Sequence, residues 1–255
     1  MLDAHCHIDL FNDPYQVAVE SEQHRIFTLA VTRLPSHYAE AREYLTRFRY
    51  VRPGLGFHPL LASSYRDEID EFEKQVSSAR YIGEIGLDFT VRNEEKKRQQ
   101  IELLDHVLSL TRNQDKIFSL HSRWAESQLL DAVVRHECQK CIFHWYSGSL
   151  KTLGKIIAAG YYLSVNHQML ISQNGRKIIK ATPIDRVLTE TDGPFVKVDG
   201  RDMRPRDIKL TEQGLGEIWG MSAENVTLRI RENLKTILTQ HAAALFQNNE
   251  PPEHS

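Results

Sequence analysis

The sequence predicts an α/β protein with a (β/α)8 architecture, a TIM-type barrel folded as a single domain. Eight short apolar or β-branched runs recur along the chain, and segments of helical character lie between them. This alternation is typical of parallel sheets, and eight repeats favour closure of the sheet into a barrel. The chain has 255 residues, an ordinary length for such a barrel. A doubly wound open sheet is the alternative that periodicity alone leaves open.

The candidate strands are short runs of the kind that predict β-structure, rich in apolar and β-branched residues. In chain order they are Leu2–Ala4, Ile26–Val31, Val51–Phe57, Tyr81–Ile85, Ile117–Leu120, Cys141–Phe143, Tyr161–Val165 and Arg186–Thr191. Their number is what favours a barrel over a smaller sheet.

Helical signals lie between the strands. In residues 95–112, apolar side chains recur at helical spacing and charged residues take the other positions. Ser149 is placed to cap a helix that Gly160 ends, and a long amphipathic pattern follows near the C-terminus. We therefore expect one domain over residues 1–246 and a polar, disordered tail over residues 247–255.

The composition excludes several classes of protein. The net charge of −2 argues against a strongly basic nucleic-acid-binding module, although an enzyme that touches nucleic acid only at a cleft fits it. Three cysteines do not make a disulfide framework, and no apolar run approaches the roughly 20 residues of a membrane span. The opening residues place Asp3 and His5 where a secretory signal needs an apolar core. We therefore expect a cytoplasmic protein with reduced thiols.

Reactive side chains follow nearly every predicted strand at its C-terminal end, which is where a (β/α)8 barrel builds its active site. They are His5 and His7 after strand one, His58 after strand three, Glu84 in strand four, His121 and His144 after strands five and six, Asn166 and His167 after strand seven, and Asp192 after strand eight. Strand two, which ends near Thr32, adds nothing comparable. The positions predict that these side chains meet at one end of the barrel.

The residue types at these positions suit a metal ion. His5 and His7 lie two residues apart, so both side chains project from the same face of a strand. Glu84 lies in an apolar, glycine-flanked run, where an unpaired carboxylate would be costly to bury. Taken singly, each residue also fits a bland role, such as a core histidine or, for Asp192, a turn. Together, four histidines and two carboxylates from five strands form a ligand set suited to zinc, manganese or magnesium.

Six segments of the chain resemble the TatD-like family of metal-dependent nucleases, within the amidohydrolase-like superfamily. They are DAHCHID at 3–9, GFHP at 56–59, IGEIGLD at 82–88, LHSR at 120–123, HWYSGS at 144–149 and LTETDGP at 188–194, in the order and spacing of that family. The resemblance implies a TIM-type barrel, a site for two divalent metal ions, and 3′–5′ deoxyribonuclease or related phosphodiesterase activity on DNA.

The resemblance also assigns metal ligands in this sequence. One ion would be held by His5, His7 and Asp192. The second would be held by His121 and His144. Glu84 would bridge the two ions, so that Glu84 and Asp192 are the catalytic carboxylates.

The resemblance also assigns two phosphate contacts, and the expected mechanism adds a proton acceptor and a residue that stacks on a base. His58 and Arg123 would face the substrate phosphate, although a salt bridge is an equally good role for Arg123. Asp192 would accept the proton of the attacking water. Trp145, or otherwise Tyr146 or Phe89, could stack on a base at a DNA chain end.

The chain departs from the usual family pattern at several points. Trp145 stands where the family usually has a small residue or cysteine, and the stretch VKVDGRDMRPRD lacks the usual arginine- and asparagine-containing pattern. The segments HWYSGS and TETDGPF resemble the QatD branch, whose members occur with the four-component Qat anti-phage systems of bacteria. That likeness implies a role in defence beside Qat-system partner proteins.

Two other functions remain open from the sequence. One is an amidohydrolase-type enzyme that acts on an amide, lactone or nucleobase. Many barrel relatives of that kind use a carboxylated lysine on strand four, and here YIGEIGLD offers Glu84 and no lysine. The other is a metal-binding barrel that serves as an assembly subunit of a defence complex, since fold alone does not determine function.

Overall fold

The structure, a computed structural model, describes residues 1–239 of the chain; the tail expected over residues 247–255 lies outside the described residues. Eight strands carry the fold: β1 Leu2–Cys6, β2 Phe27–Val31, β3 Val51–Gly54, β4 Tyr81–Asp88, β5 Ile117–Arg123, β6 Lys140–His144, β7 Tyr162–Val165 and β8 Val187–Thr189. Each coincides with a predicted strand. Strands β4 and β5 continue beyond their predicted ends, to Asp88 and Arg123.

Helices alternate with these strands, as the periodicity predicts. They are α1 Pro14–Gln23, α2 Pro35–Leu45, α3 Glu68–Val76, α4 Glu94–Leu110, α5 Glu126–Arg135, α6 Leu150–Ala158, α7 His167–Ile171, α8 Gln173–Ala181, α9 Ile208–Trp219 and α10 Ala223–Thr239. Ser149 caps α6 as predicted, because its hydroxyl accepts a hydrogen bond from the Thr152 N–H at 3.1 Å. Among residues 1–239, no helix combines the length and the apolar character needed to cross a membrane.

The strands form two parallel sheets, with the orders β1-β2-β3 and β4-β5-β6-β7-β8. Every neighbouring pair within them is parallel. The spatial order of the strands therefore follows their order in the chain. A doubly wound sheet would instead reverse its strand order at a switch point, so the structure excludes that alternative.

Two junctions join the sheets around a common core. On one side Leu55, just beyond β3, pairs in parallel with Ile82 of β4, and the Gly83 N–H donates to the Leu55 carbonyl at 2.8 Å. On the other side, the Asp192 N–H donates to the His5 carbonyl at 2.9 Å, which links the chain after β8 to β1. The architecture is the predicted (β/α)8 barrel.

Both faces of the strands are covered. Residues of β1, β4, β7 and β8 are buried along their whole length, as expected for parallel strands between a filled barrel interior and an outer layer of helices. Ile82, Leu120 and Phe143 belong to one large apolar cluster. The polar side chains at the strand ends therefore lie directly above a closely packed apolar core.

A small hairpin follows β8 and was not predicted. It consists of β9 Lys197–Val198 and β10 Arg201–Asp202, which pair antiparallel. The guanidinium of Arg201, in β10, donates to both carboxylate oxygens of Asp207, at 2.6 and 2.9 Å. Arg204 reaches across to Glu20 of α1 at 2.8 Å. The ion pair with Glu20 therefore holds the stretch VKVDGRDMRPRD against α1.

Candidate active site

The C-terminal ends of the strands bring all six predicted metal ligands together. His5 lies in β1 and His7 just beyond it, Glu84 lies in β4, His121 in β5, His144 at the end of β6, and Asp192 three residues beyond β8. All are buried except His121, which is partly exposed. Neither Asn166 nor His167 joins this cluster, because Asn166 caps α7 and His167 is the first residue of that helix.

Glu84 lies at the centre of the cluster, between two pairs of histidines. One of its oxygens, Oε2, lies 3.2 Å from His7 Nε2 and 3.9 Å from His5 Nε2. The other, Oε1, lies 2.7 Å from His121 Nδ1 and 2.9 Å from His144 Nε2. The carboxylate therefore presents one oxygen to each pair of histidines.

Asp192 faces the first of these pairs. Its Oδ1 lies 3.7 Å from His5 Nε2 and 3.9 Å from His7 Nε2. Its backbone has a left-handed φ of 49°, and its N–H donates to the His5 carbonyl. The turn after β8 thus directs the carboxylate back over the end of β1.

The two glycines beside Glu84 permit close approach between β4 and β5. A Cβ at Gly83 would lie 2.8 Å from the Ser119 Cβ, and one at Gly86, where φ is +146°, would lie 2.0 Å from the His121 carbonyl oxygen. Larger residues at either position would push β5 away. The glycines therefore allow His121 to reach Glu84.

Other polar side chains orient the histidines. His5 Nδ1 lies 2.7 Å from the Ser119 hydroxyl, and His121 Nε2 lies 2.9 Å from Asp88 Oδ2. A partner on one ring nitrogen fixes the tautomer and leaves the other nitrogen free to bind a cation. Ser119 and Asp88 were not among the predicted site residues, although Asp88 ends the matched segment IGEIGLD.

His58 differs from the other histidines in its hydrogen bonding. Its Nδ1 accepts a hydrogen bond from the Leu60 N–H at 3.2 Å, so in the neutral ring the proton resides on Nε2. That Nε2 lies 3.6 Å from Glu84 Oε1. Although its position would permit metal binding together with Glu84 and His121, this tautomer makes His58 a hydrogen-bond donor toward the site.

Glu190 is a second buried carboxylate that the sequence prediction missed. It accepts hydrogen bonds from the Asn166 amide at 2.9 Å, the Trp145 N–H at 3.1 Å and the Ser164 hydroxyl. His144 Nδ1 lies 3.8 Å from it. Glu190 thus ties β6, β7 and β8 together directly behind His144.

Asp3, in β1, holds the turn after β8 that contains Asp192. It accepts hydrogen bonds from both the N–H and the hydroxyl of Thr191, at 2.9 and 2.5 Å. Burial raises the pKa of Asp3 to about 7, although these hydrogen bonds oppose the rise. Thr191, the residue before Asp192, is therefore held in place by a side chain of β1.

Burial and neighbouring charges act against each other in the cluster. Burial raises the pKa of Glu84, but the charges of His58 and His121, with hydrogen bonds from His121 and His144, bring that pKa well below its ordinary value. Burial raises the pKa of Asp192 well above its ordinary range. The ionised forms of both buried carboxylates therefore need nearby positive charge to be stable.

The donor set fits divalent metal ions. His5 Nε2 and His7 Nε2 are 3.3 Å apart, and His121 Nδ1 and His144 Nε2 are also 3.3 Å apart. Ring nitrogens that converge this closely, each pair with a carboxylate oxygen, form compact sets of nitrogen and oxygen ligands of the kind that zinc and manganese take. Donor atoms within 4.8 Å of one another include the sets His5–His7–Glu84 and His5–His144–Asp192.

A cleft of about 150 Å³ opens beside the cluster. It is lined by His121, Ser122, Arg123, His144, Trp145 and Ser147. The Arg123 side chain is exposed, and its guanidinium has no hydrogen-bond or ion-pair partner within residues 1–239. The salt bridge considered for Arg123 is therefore absent from the part of the chain that the structure describes.

The aromatic residues near the cleft differ from those expected. Trp145 lines it, but Tyr146 is buried and donates its hydroxyl hydrogen bond to the Ser149 carbonyl, so it cannot stack on a base. Trp124 and Phe195 were not predicted. They are 69% and 53% exposed, and the Phe195 ring lies edge-on to the His7 ring, with 5.1 Å between centroids. Trp124 directly follows the segment LHSR, and Phe195 directly follows LTETDGP. Their position next to these segments was the one signal in the sequence that could have placed them near the site.

Comparison with known proteins finds relatives along nearly the whole chain. An uncharacterized metal-dependent hydrolase of Methanocaldococcus jannaschii is 27% identical over 240 residues, which cover 91% of this chain and 94% of that protein. Deoxyribonuclease TATDN3 of Homo sapiens is 24% identical over 266 residues, which cover 96% and 94%. The crystal structure of YjjV, a TatD homologue from Escherichia coli K12, superposes with a TM-score of 0.83 at 23% identity and covers 93% of this chain and 97% of that one.

The family model described as TatD related DNase matches residues 2–239, which is nearly all of the chain that the structure describes. The match includes every strand of the barrel and all six converging ligands. The chain therefore belongs to the TatD-related DNase family.

Proposed function

We propose that this protein is a divalent-metal-dependent phosphodiesterase that degrades DNA from chain ends, with 3′–5′ exonuclease character, at a two-metal site. The observation that carries the proposal is the position of Glu84, whose two oxygens face different histidine pairs. A carboxylate placed in this way could serve as a shared ligand of two divalent ions. The names of the relatives, metal-dependent hydrolase and deoxyribonuclease, support the same class of reaction.

The residues that would hold the ions follow from the distances. One ion would be held by His5, His7 and Asp192. The other would be held by His121 and His144, and Glu84 would contact both ions. Two divalent ions bound there, whether zinc, manganese or magnesium, would supply Lewis acidity for the phosphoryl group and would lower the pKa of a bound water.

The chain's own residues would handle the proton and the phosphate. Asp192 orients the attacking water and accepts its proton. His58 donates its Nε2–H to a phosphate oxygen, in keeping with the tautomer that Leu60 imposes. Arg123, exposed and unpaired within residues 1–239, binds the same phosphate from the cleft side. Trp145 contacts the terminal nucleotide, since it lines that cleft.

We further propose that the protein belongs to the QatD branch and acts in the cytoplasm beside Qat-system partner proteins in anti-phage defence. The support is the likeness of HWYSGS and TETDGPF to that branch. Asp192→Asn within a complete Qat operon should abolish protection in a phage plaque assay. Full protection by that variant would favour the alternative, a metal-binding barrel that serves as an assembly subunit.

Substitution of the central carboxylate tests the two-metal site. Glu84→Ala should lose at least one of two bound metals in elemental analysis and lower phosphodiester hydrolysis by more than a hundredfold, because both histidine pairs lose their shared oxygen. Glu94→Ala, an exposed glutamate at the start of α4, is the matched control and should retain both metal and activity. Two metals and full activity in Glu84→Ala would refute the scheme.

The substrate class needs a separate assay. With manganese, the protein should shorten single-stranded DNA labelled at its 5′ end one nucleotide at a time, and it should hydrolyse p-nitrophenyl phosphodiesters. Amide and lactone substrates should be inert, because β4 offers no lysine for carboxylation. Hydrolysis of an amide or lactone with none of DNA would favour the amidohydrolase alternative.

A further inference from the structure

Strand β2, which was expected to add nothing to the site, is followed by an arginine at the active-site end of the barrel. Arg33 lies between β2 and α2, two residues beyond the last residue of the strand. Its carbonyl accepts a hydrogen bond from the His58 N–H at 2.9 Å. The backbone of Arg33 is thereby fixed beside a residue of the site.

The side chain of Arg33 is partly buried and has no partner. Within residues 1–239, five other arginines have a similar degree of exposure, and each binds a hydroxyl, carbonyl or carboxylate: Arg42, Arg52, Arg186, Arg204 and Arg229. Arg33 alone among them has no hydrogen-bond acceptor in the described part of the chain. A guanidinium that lies beside the active site and has no acceptor from the protein is available to bind an anion.

The charge of Arg33 also reaches the site. Burial lowers the pKa of His58 to about 3, and the positive charges of His121 and Arg33 act in the same direction against the opposing charge of Glu84. The guanidinium is therefore within electrostatic range of the imidazole that faces Glu84.

Arg33 and Arg123 flank the centre of the cluster. Arg33 follows β2, Arg123 ends β5, and Glu84 lies in β4 between them in the order of strands. A polynucleotide strand presents a row of phosphates, and a guanidinium binds phosphate in a bidentate manner. Unpaired arginines that belong to two different strands can therefore each bind a separate phosphate of one polynucleotide strand.

We propose that Arg33 binds the phosphate next to the one being hydrolysed, so that a polynucleotide strand, and not an isolated phosphodiester, is the preferred substrate. This inference rests on the proposed phosphodiesterase function. Arg33 then determines specificity without contacting the reacting atoms. Loss of its guanidinium should weaken the binding of long substrates and leave the chemistry of small ones unchanged.

Arg33→Gln tests this role with two substrates. For single-stranded DNA, kcat/KM should fall about tenfold through KM, because one charge-assisted contact is removed. For bis(p-nitrophenyl) phosphate, which has a single phosphate, kcat/KM should stay within about twofold of the wild type. Arg33→Lys keeps the positive charge but lacks the planar guanidinium that binds phosphate in a bidentate manner. Its kcat/KM on single-stranded DNA should therefore lie between those of the wild type and Arg33→Gln.

Binding gives a readout that is independent of catalysis. Fluorescence anisotropy with a labelled phosphorothioate oligothymidylate should show a shallower salt dependence for Arg33→Gln, smaller by about 0.7 in the slope of log affinity against log salt. Arg25→Gln is the matched control. Arg25 is exposed and lies at the opposite end of β2, so removing it takes away the same charge far from the site. Its slope should equal that of the wild type.

The outcomes separate the two proposals. A wild type that neither binds nor hydrolyses the phosphodiesters overturns the proposed function itself. An active wild type with an unchanged Arg33→Gln profile overturns only the role of Arg33. An equal loss on both substrates also overturns it, since that result places Arg33 at the scissile phosphate or in the stability of the barrel.

Discussion

At the scale of single residues, Glu190 supports the site without belonging to the ligand set. It is fully buried and accepts hydrogen bonds from Ser164, Asn166 and Trp145. Ser164 and Asn166 lie in β7 and directly after it, and Trp145 directly follows β6, so removal of the carboxylate would leave donors of two strands without an acceptor. The carboxylate therefore positions the backbone from which His144 and Trp145 project.

Glu190→Ala should accordingly be costly in two respects. The free energy of unfolding, measured in urea, should fall by roughly 3 kcal/mol, because buried donors lose their acceptor. Hydrolysis should fall on the order of tenfold through misplacement of the cleft. Glu190→Gln keeps the shape and one acceptor oxygen, so it should lose only about 1 kcal/mol.

The matched control for this prediction is another buried glutamate far from the site. Glu212 of α9 is also buried and accepts a hydrogen bond from the Thr227 hydroxyl. Glu212→Ala should destabilise the protein yet leave the kcat of the folded enzyme unchanged. If Glu190→Ala behaved in the same way, its role would be stability alone.

The limits of sequence-based prediction are clearest at this scale. The six ligands could be predicted because histidines and carboxylates recur at strand ends, where a barrel builds its site. Asp88, Ser119 and Glu190 could not, because their partners lie tens of residues away and only the fold brings them together. Arg33 was missed for a further reason, since an exposed arginine and an unpaired, half-buried one look the same in a sequence.

At the scale of elements, the eight strands were predicted and the hairpin was not. Strands such as β4 are continuous apolar runs, and that signal survives without tertiary context. Strands β9 and β10 have two residues each, which is too short for any periodicity. They are held by their antiparallel backbone pairing, and the ion pair between Arg201 and Asp207 links β10 to the chain that follows it.

That ion pair makes a pH-dependent contribution to stability. Burial raises the pKa of Asp207, but hydrogen bonds from Arg201 and from the Arg204 N–H lower it below its ordinary value. A carboxyl with a lowered pKa in the folded state stabilises that state above the pKa of the unfolded chain, near 4. The stabilisation is lost as the pH falls from about 4 through the folded-state pKa.

Asp207→Asn should therefore be less stable than the wild type at pH 7 by about 1 kcal/mol, a modest value because the Arg201 side chain is half exposed. The difference should persist to pH 5 and shrink below pH 4. Urea unfolding in the presence of a chelator measures it without interference from metal loss at acid pH. A difference that is constant down to pH 3 would contradict the assignment.

At the scale of the whole molecule, the site closes the barrel. Its ligands come from β1, β4, β5, β6 and the turn after β8, so they span both junctions between the two sheets. The hydrogen bond from the Asp192 N–H to the His5 carbonyl lies within this group. A cation bound there would draw together strands of the two sheets.

Metal binding should consequently stabilise the entire fold. A ligand that binds only the folded state, at about a hundred times its Kd, contributes about 2.7 kcal/mol, which corresponds to roughly 5–10 °C in Tm for a chain of this size. Chelation should lower the Tm by at least that amount in differential scanning calorimetry, and added zinc or manganese should restore it. Asp207→Asn, which leaves the ligands intact, should show the full shift. Glu84→Ala should show little of it, because both histidine pairs lose their common oxygen. An equal chelator shift in Glu84→Ala would mean that the stabilising metal binds elsewhere on the molecule.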